Sequence, residues 1–95
     1  MRNYWVYIMA SKRNGTLYVG VTNDLRLRVK EHSMGVAGGF TKRYGVHMLV
    51  FFEETNDIRE AIRREKVLKS WKRGWKIQLI ESFNPKWTDL SKGVV

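Results

Sequence analysis

Five residues of the chain could do chemistry together if folding gathers them: Tyr7, Tyr18, Arg28, His32 and Glu65. Hydrolysis of a phosphodiester needs charge neutralised at the phosphate, a water aligned for attack and help for the leaving oxygen. A carboxylate-bound divalent ion supplies two of these. Glu65 is the candidate ligand, and as the one strong carboxylate candidate it suggests a single Mg²⁺ or Mn²⁺ rather than a two-ion site. Arg28 offers a forked guanidinium for phosphate oxygens, and His32, one helical turn further, can move a proton near neutral pH.

Glu65 is the most informative of the five. The pattern predicts a helix over 58–71 in which Ile58, Ala61, Ile62 and Leu68 share one apolar stripe, with Glu65 inside it. A carboxylate turned toward a sheet requires a cation, a metal or strong hydrogen bonds. The bland alternative is an ion pair with Lys69 one turn on, but such pairs do not need an apolar stripe. Taken singly, the other four are weaker signals. An Arg and a His four residues apart usually border a solvated helix face, and strand tyrosines are usually core residues.

The elements that must position these groups follow from periodicity and turn chemistry. Residues 4–10 and 16–22 are rich in β-branched and aromatic types, with Lys12-Arg13-Asn14-Gly15 between them, which predicts a hairpin. Alternation puts Trp5, Tyr7 and Met9 on one face, and Tyr18 with Gly20 on one face of the second strand. Gly20 weakens a strand unless something must approach its backbone closely. Asn23 or Asp24 caps a predicted helix from 25 to about 34, with Leu25 and Val29 buried and Arg28 and His32 flanking them. The four glycines and the basic residues of 35–45 predict a mobile basic loop. Residues 47–54, apolar on both faces, predict a central strand, with His47 structural, and Asn56 or Asp57 caps the helix of Glu65. Gly74 is expected to end or kink that helix, 75–82 to form another, and Asn84-Pro85 to begin an extended tail.

Ninety-five residues with 43% hydrophobic content predict one compact domain over 1–95, with no room for a second core. Eighteen Lys and Arg against nine Asp and Glu give a formal charge of +9, which favours a polyanionic partner. The charge is clustered: Arg63, Arg64, Lys66, Lys69, Lys72, Arg73 and Lys76 crowd one stretch in which Glu65 is the only acid. Lys42, Arg43, Arg64, Lys69, Lys72 and Arg73 are the candidate DNA contacts. Trp71, Trp75 and Trp87 interleave with them and could stack on bases, although core packing is the commoner use. No cysteine is present, so disulfides and thiolate metal sites are excluded. The apolar run 4–10 is too short to cross a membrane, and a cytoplasmic protein is the default expectation.

The order Trp5-Val6-Tyr7, Tyr18-Val19-Gly20, Arg28, His32 and Glu65 resembles the signature of the GIY-YIG nuclease family. The likeness is closest to small single-domain members grouped with the N-terminal domain of the excinuclease C subunit, through 17–25, Arg64-Glu65-Lys66 and the tail 84–90. It implies a small α/β (α+β) fold with a three-stranded antiparallel sheet flanked by helices, and metal-dependent hydrolysis of DNA, in repair or processing. It further implies that Glu65 binds the one divalent ion, Tyr7 and Tyr18 position or deprotonate the water, Arg28 steadies the phosphate and His32 assists proton movement. Asn84 resembles the late asparagine that supports the site. Trp5 stands where the family has glycine, and both motif isoleucines are valines. Specificity would then come from a protein partner or self-association. The reading from another class is an inactive nucleic-acid-binding module using the basic helix, and a weaker one is an accessory protein docking through its tryptophans.

Overall fold

A computed structural model describes residues 3–35 and 39–94. Strand β1 (Tyr4–Ala10) and strand β2 (Leu17–Thr22) form the expected hairpin. Its turn is held by Ser11 N–H donating to Thr16 O at 3.0 Å, with Asn14 at φ 58°. Helix α1 (Leu25–Ser33) and the short helix α2 (Gly39–Arg43) follow, then strand β3 (Met48–Thr55). Helices α3 (Ile58–Ser70), α4 (Arg73–Phe83) and α5 (Ser91–Val94) complete the chain. The sheet is antiparallel throughout in the order β2-β1-β3. A three-stranded antiparallel sheet flanked by helices was expected, and it is present.

Because β1 is central and covered on both faces, its residues from Val6 to Ala10 are all buried. Alternation divides them between two cores. Val6, Ile8 and Ala10 pack with Val19 of β2, Ala61 and Leu68 of α3, and Ile80 of α4. Tyr7 and Met9 turn the other way, to Leu25 and Val29 of α1, Val46 and Leu49. Trp5 and Tyr18 pack onto that second core, so the face expected for Trp5, Tyr7 and Met9 is the one observed.

Several sequence expectations are corrected. β3 is an edge strand, not a central one; it reads as central because the tail covers its outer edge. Leu90 N–H donates to Leu49 O at 2.8 Å, Leu49 N–H to Asp89 Oδ1 at 3.1 Å, and Asn84 Nδ2 to Val50 O at 3.1 Å. The tail is therefore a docked strap ending in α5. The predicted loop over 35–45 contains α2, with Thr41 buried; its residues 36–38 lie outside the described residues. Gly74 does not end α3, which stops at Ser70, but sits in the first turn of α4. Among the described residues no helix is long and apolar enough to cross a membrane.

Candidate active site

The face of the sheet under α1 holds four of the five candidate residues. Asp24 caps α1 by accepting from Leu27 N–H at 3.0 Å, which fixes the rotation of the helix. Leu25 and Val29 then face the sheet, and His32, seven and three residues further on, continues their stripe instead of flanking it. It is 6% exposed, far more buried than the expected border position. Tyr7 Oη and His32 Nε2 lie 3.2 Å apart. The Tyr18 ring is 5.5 Å from the imidazole and 6.4 Å from the Tyr7 ring, centroid to centroid. Arg28, one turn before His32, keeps its side chain 43% exposed and pairs with Glu31 at 3.3 Å.

Gly20 explains how Tyr7 fits. The two residues are opposite each other in the β1–β2 register, and a Cβ on Gly20 would lie 2.5 Å from both Cζ and Oη of Tyr7. The ring lies over the bare backbone of β2, and Tyr7 is fully buried and has no slack. Gly20→Ala is therefore expected to destabilise the fold by about 1–3 kcal/mol through overpacking. Urea unfolding checks this, and a variant as stable as the parent would show that Tyr7 moves freely.

Electrostatics sets the protonation of the pair. Burial, then the neighbouring Tyr18, push the Tyr7 phenol well above its ordinary value, outweighing the Arg28 guanidinium that works in the opposite sense. His32 is pushed down from 6.5, first by burial and then by Arg28, against a smaller opposing effect of Glu31. At neutral pH both are uncharged. As pH falls below about 6.5 an unfolded histidine takes a proton before the folded one does, so stability should be lost as pH falls through the folded value. His32→Gln should flatten that part of the pH dependence, measured by urea unfolding between pH 7.5 and 5; an unchanged slope would contradict the burial account. His32 Nδ1 is also buried, with no hydrogen-bond partner among the described residues.

Glu65 arrives from the other layer. α3 packs on β1 and β2 from the face opposite Tyr7. Arg64 reaches Glu53 of β3 at 2.8 Å. Glu65, about 100° further round the helix, lies on the flank turned from β3 toward β2, the strand of Tyr18 and Gly20. Its side chain is 16% exposed and pairs with Lys69 at 3.3 Å. Among the described residues it makes no hydrogen bond to Tyr7, Tyr18, Arg28 or His32. The predicted stripe is corrected here: Ile58 and Ile62 are 41% and 40% exposed, so the acid is tucked in more deeply than two isoleucines on its own helix.

Among the described residues no three His, Cys, Asp or Glu side chains come together as a metal cluster. A hard divalent ion can be held by a single partly buried carboxylate, its remaining positions filled by water and phosphate oxygens. Glu65 fits that role.

The other named residues divide. Lys42 and Arg43 are exposed on α2, and Lys72 is exposed at the start of α4. Lys69 is also exposed, though paired with Glu65. Arg64 is committed to Glu53 and lies 5.4 Å over the Trp71 ring, and Arg73 donates to Asn14 O at 2.7 Å and Gly15 O at 2.5 Å. Those two arginines bind the fold together. Asn84 is buried; beside Val50 O, its side chain bonds Thr88 O at 2.8 Å and accepts from Thr88 N–H at 3.0 Å, holding the tail on the sheet edge farthest from β2. Trp87 is core, donating to Glu81 at 2.8 Å, while Trp75 is 53% exposed and meets Trp71 edge-on. His47 is exposed, just before β3. Sequence reasoning missed Glu31, which holds Arg28, and Phe40 with Tyr44; the aromatic pair four residues apart was the available signal.

Comparison with known proteins finds matches along most of the chain. A family model described as the GIY-YIG catalytic domain matches residues 3–78. A UPF0213 protein of Clostridium perfringens is 41% identical over 78 residues, covering 82% of this chain and 83% of the relative. A UPF0213 protein of Staphylococcus haemolyticus is 35% identical over 81 residues, 85% of this chain and 98% of that one. The solution NMR structure of a UPF0213 protein from Bacillus halodurans superposes with a TM-score of 0.58 at 30% identity, covering 95% of each chain.

Proposed function

The chain belongs to the GIY-YIG catalytic domain family, a nuclease family, and from that premise we propose that it is a metal-dependent DNA endonuclease of low sequence specificity. The observation that carries this reading is the buried contact between Tyr7 Oη and His32 Nε2, with Tyr18 and the Arg28 guanidinium beside it. A structural tyrosine does not need a neutral, buried imidazole, a glycine under its ring and an arginine around its hydroxyl.

Each residue then has a task. Tyr7, held as a phenol, orients the attacking water through Oη. As the water loses a proton to Oη, the phenolic proton passes to Nε2 of the neutral His32. That transfer uses the tautomer in which Nδ1 carries the imidazole proton and Nε2 accepts from Tyr7. Arg28, solvent-accessible and braced by Glu31, neutralises the phosphate. Tyr18, partly exposed on β2, completes the water's cage and closes one side of the site. Glu65 would hold one Mg²⁺ or Mn²⁺ from the flank of α3 that faces β2. When bound, such an ion neutralises the phosphate and stabilises the leaving oxygen.

Trp5, in the place of the motif glycine, is compatible with activity. It lines a surface pocket at the other end of the face with Asn23, Asp24, Leu25 and Phe52, away from His32. Lys42, Arg43, Lys69 and Lys72 supply the phosphate attraction, and residues 1–95 work as one domain, in the cytoplasm and in repair or processing. Specificity comes from the shape of the substrate, from a protein partner or from self-association.

The test is a panel of duplex, flapped, branched and single-stranded DNA incubated with purified protein and Mg²⁺ or Mn²⁺, with metal omission as the control. Metal-dependent nicking supports the reading. Steeply salt-dependent binding without nicking under any metal overturns it in favour of an inactive binding module.

A further inference from the structure

The ring contacts that begin at His32 do not stop at Tyr18. Tyr18 meets Phe40 of α2 at 6.1 Å, and Phe40 meets Tyr44 at 4.7 Å, with the Arg43 guanidinium 5.6 Å from the Tyr44 centroid. Phe40 and Tyr44 stand four residues apart, so they project from one side of the helical turn. Each is 47% exposed, while the residue α2 buries is Thr41. Two large rings half in water, continuous with a catalytic face, are not explained by core packing. Lys42 and Arg43 lie between them in sequence, both exposed, on a chain of net charge +9. Aromatic faces set among cations are the chemistry that holds the bases and backbone of a single strand.

We propose that Phe40 and Tyr44 form a stacking platform for an unpaired nucleotide next to the phosphate that Arg28 and Tyr7 act upon. The preferred DNA is therefore one with a single-stranded segment at the cut, such as a flap or a branch, because in continuous duplex both faces of every base are already stacked. The proposal rests on the nuclease reading for the place of cutting, but not for binding. Lys42 and Arg43 hold the strand's phosphates on either kind of DNA, whereas the platform responds only to a free base. Each stacked base lost should weaken binding about tenfold.

The experiment places 2-aminopurine at the unpaired position of a flapped DNA and at the matching position of a fully paired duplex, in EDTA so that no cutting intervenes. Wild type should quench the flap fluorophore. Phe40→Ala/Tyr44→Ala should abolish the quenching and bind flap on the order of 10- to 100-fold more weakly, with duplex binding changed less than about 2-fold. Phe40→Tyr and Tyr44→Phe, which keep the rings and the packing, should retain wild-type quenching, so a folding defect in the alanine variant does not hide the answer. Absence of quenching by wild type, or equal losses on both DNAs, overturns the platform. The same proteins assayed with Mg²⁺ separate the two readings. Flap-selective quenching without cutting sustains the platform and removes the nuclease, and cutting of duplex and flap alike that ignores both substitutions does the reverse.

Discussion

Glu65→Gln is expected to lower the rate of metal-dependent cleavage by on the order of 10³-fold or more, since charge stabilisation by a bound ion is worth several kcal/mol. The fold should survive. Among the described residues the interaction lost is the pair with Lys69, whose side chain is 52% exposed, and pairs of that kind contribute roughly 0–1 kcal/mol. Glutamine keeps the size and polarity of the side chain in its partly buried slot and removes the charge alone. Single-turnover cleavage beside a urea unfolding curve measures both halves of the prediction. A variant that cuts at the parental rate would remove Glu65 from the metal role, and one that unfolds would assign it a structural role instead.

Arg28→Ala should cost about 10²- to 10³-fold in cleavage, the range seen when one preorganised charge partner is taken from a transition state. Arg28→Lys should recover only part of this, because an ammonium cannot offer the forked pair of donors. A second readout separates catalysis from general damage. Arg28 is one of the two causes that depress the His32 pKa, so removing it should move that pKa upward toward 6.5. Titration of the imidazole by NMR follows this directly. Loss of cutting with no movement of the imidazole would mean that Arg28 acts at a distance from the Tyr7–His32 pair.

The parts of the molecule legible in sequence are those governed by local rules. Strand alternation placed Tyr7 and Met9 on one face, the turn at Asn14 closed the hairpin, and Asp24 and Asp57 cap their helices as their side chains dictate. Gly20 was recognisable as a point of close approach, although what approaches, the Tyr7 ring, is visible only in the register. Nonlocal contacts account for the misreadings. The composition of β3 is that of a central strand because Asn84, Asp89 and Leu90 supply its missing neighbour from across the molecule. Ile58 and Ile62 lie in the helical stripe by spacing, yet the narrow sheet covers only the Ala61–Leu68 line, leaving them at the β2 side with Glu65. Arg64 and Arg73 look like free charge until Glu53 and the hairpin turn are placed beside them. α2 was hidden by the glycines around it, which suit a loop and which its Phe40, Tyr44 and buried Thr41 override.

The nuclease reading requires that Glu65, carried on one layer, serves the same site as Tyr7, Tyr18 and His32 on the other. Mn²⁺ titrated into ¹³C-labelled protein broadens the NMR signals of nearby nuclei and reports this without any substrate. The ring signals of Tyr18 and His32 should broaden together with those around Glu65, and all of these effects should vanish in Glu65→Gln. Broadening confined to the exposed Lys69 side of α3, or persisting in the variant, would contradict a shared centre.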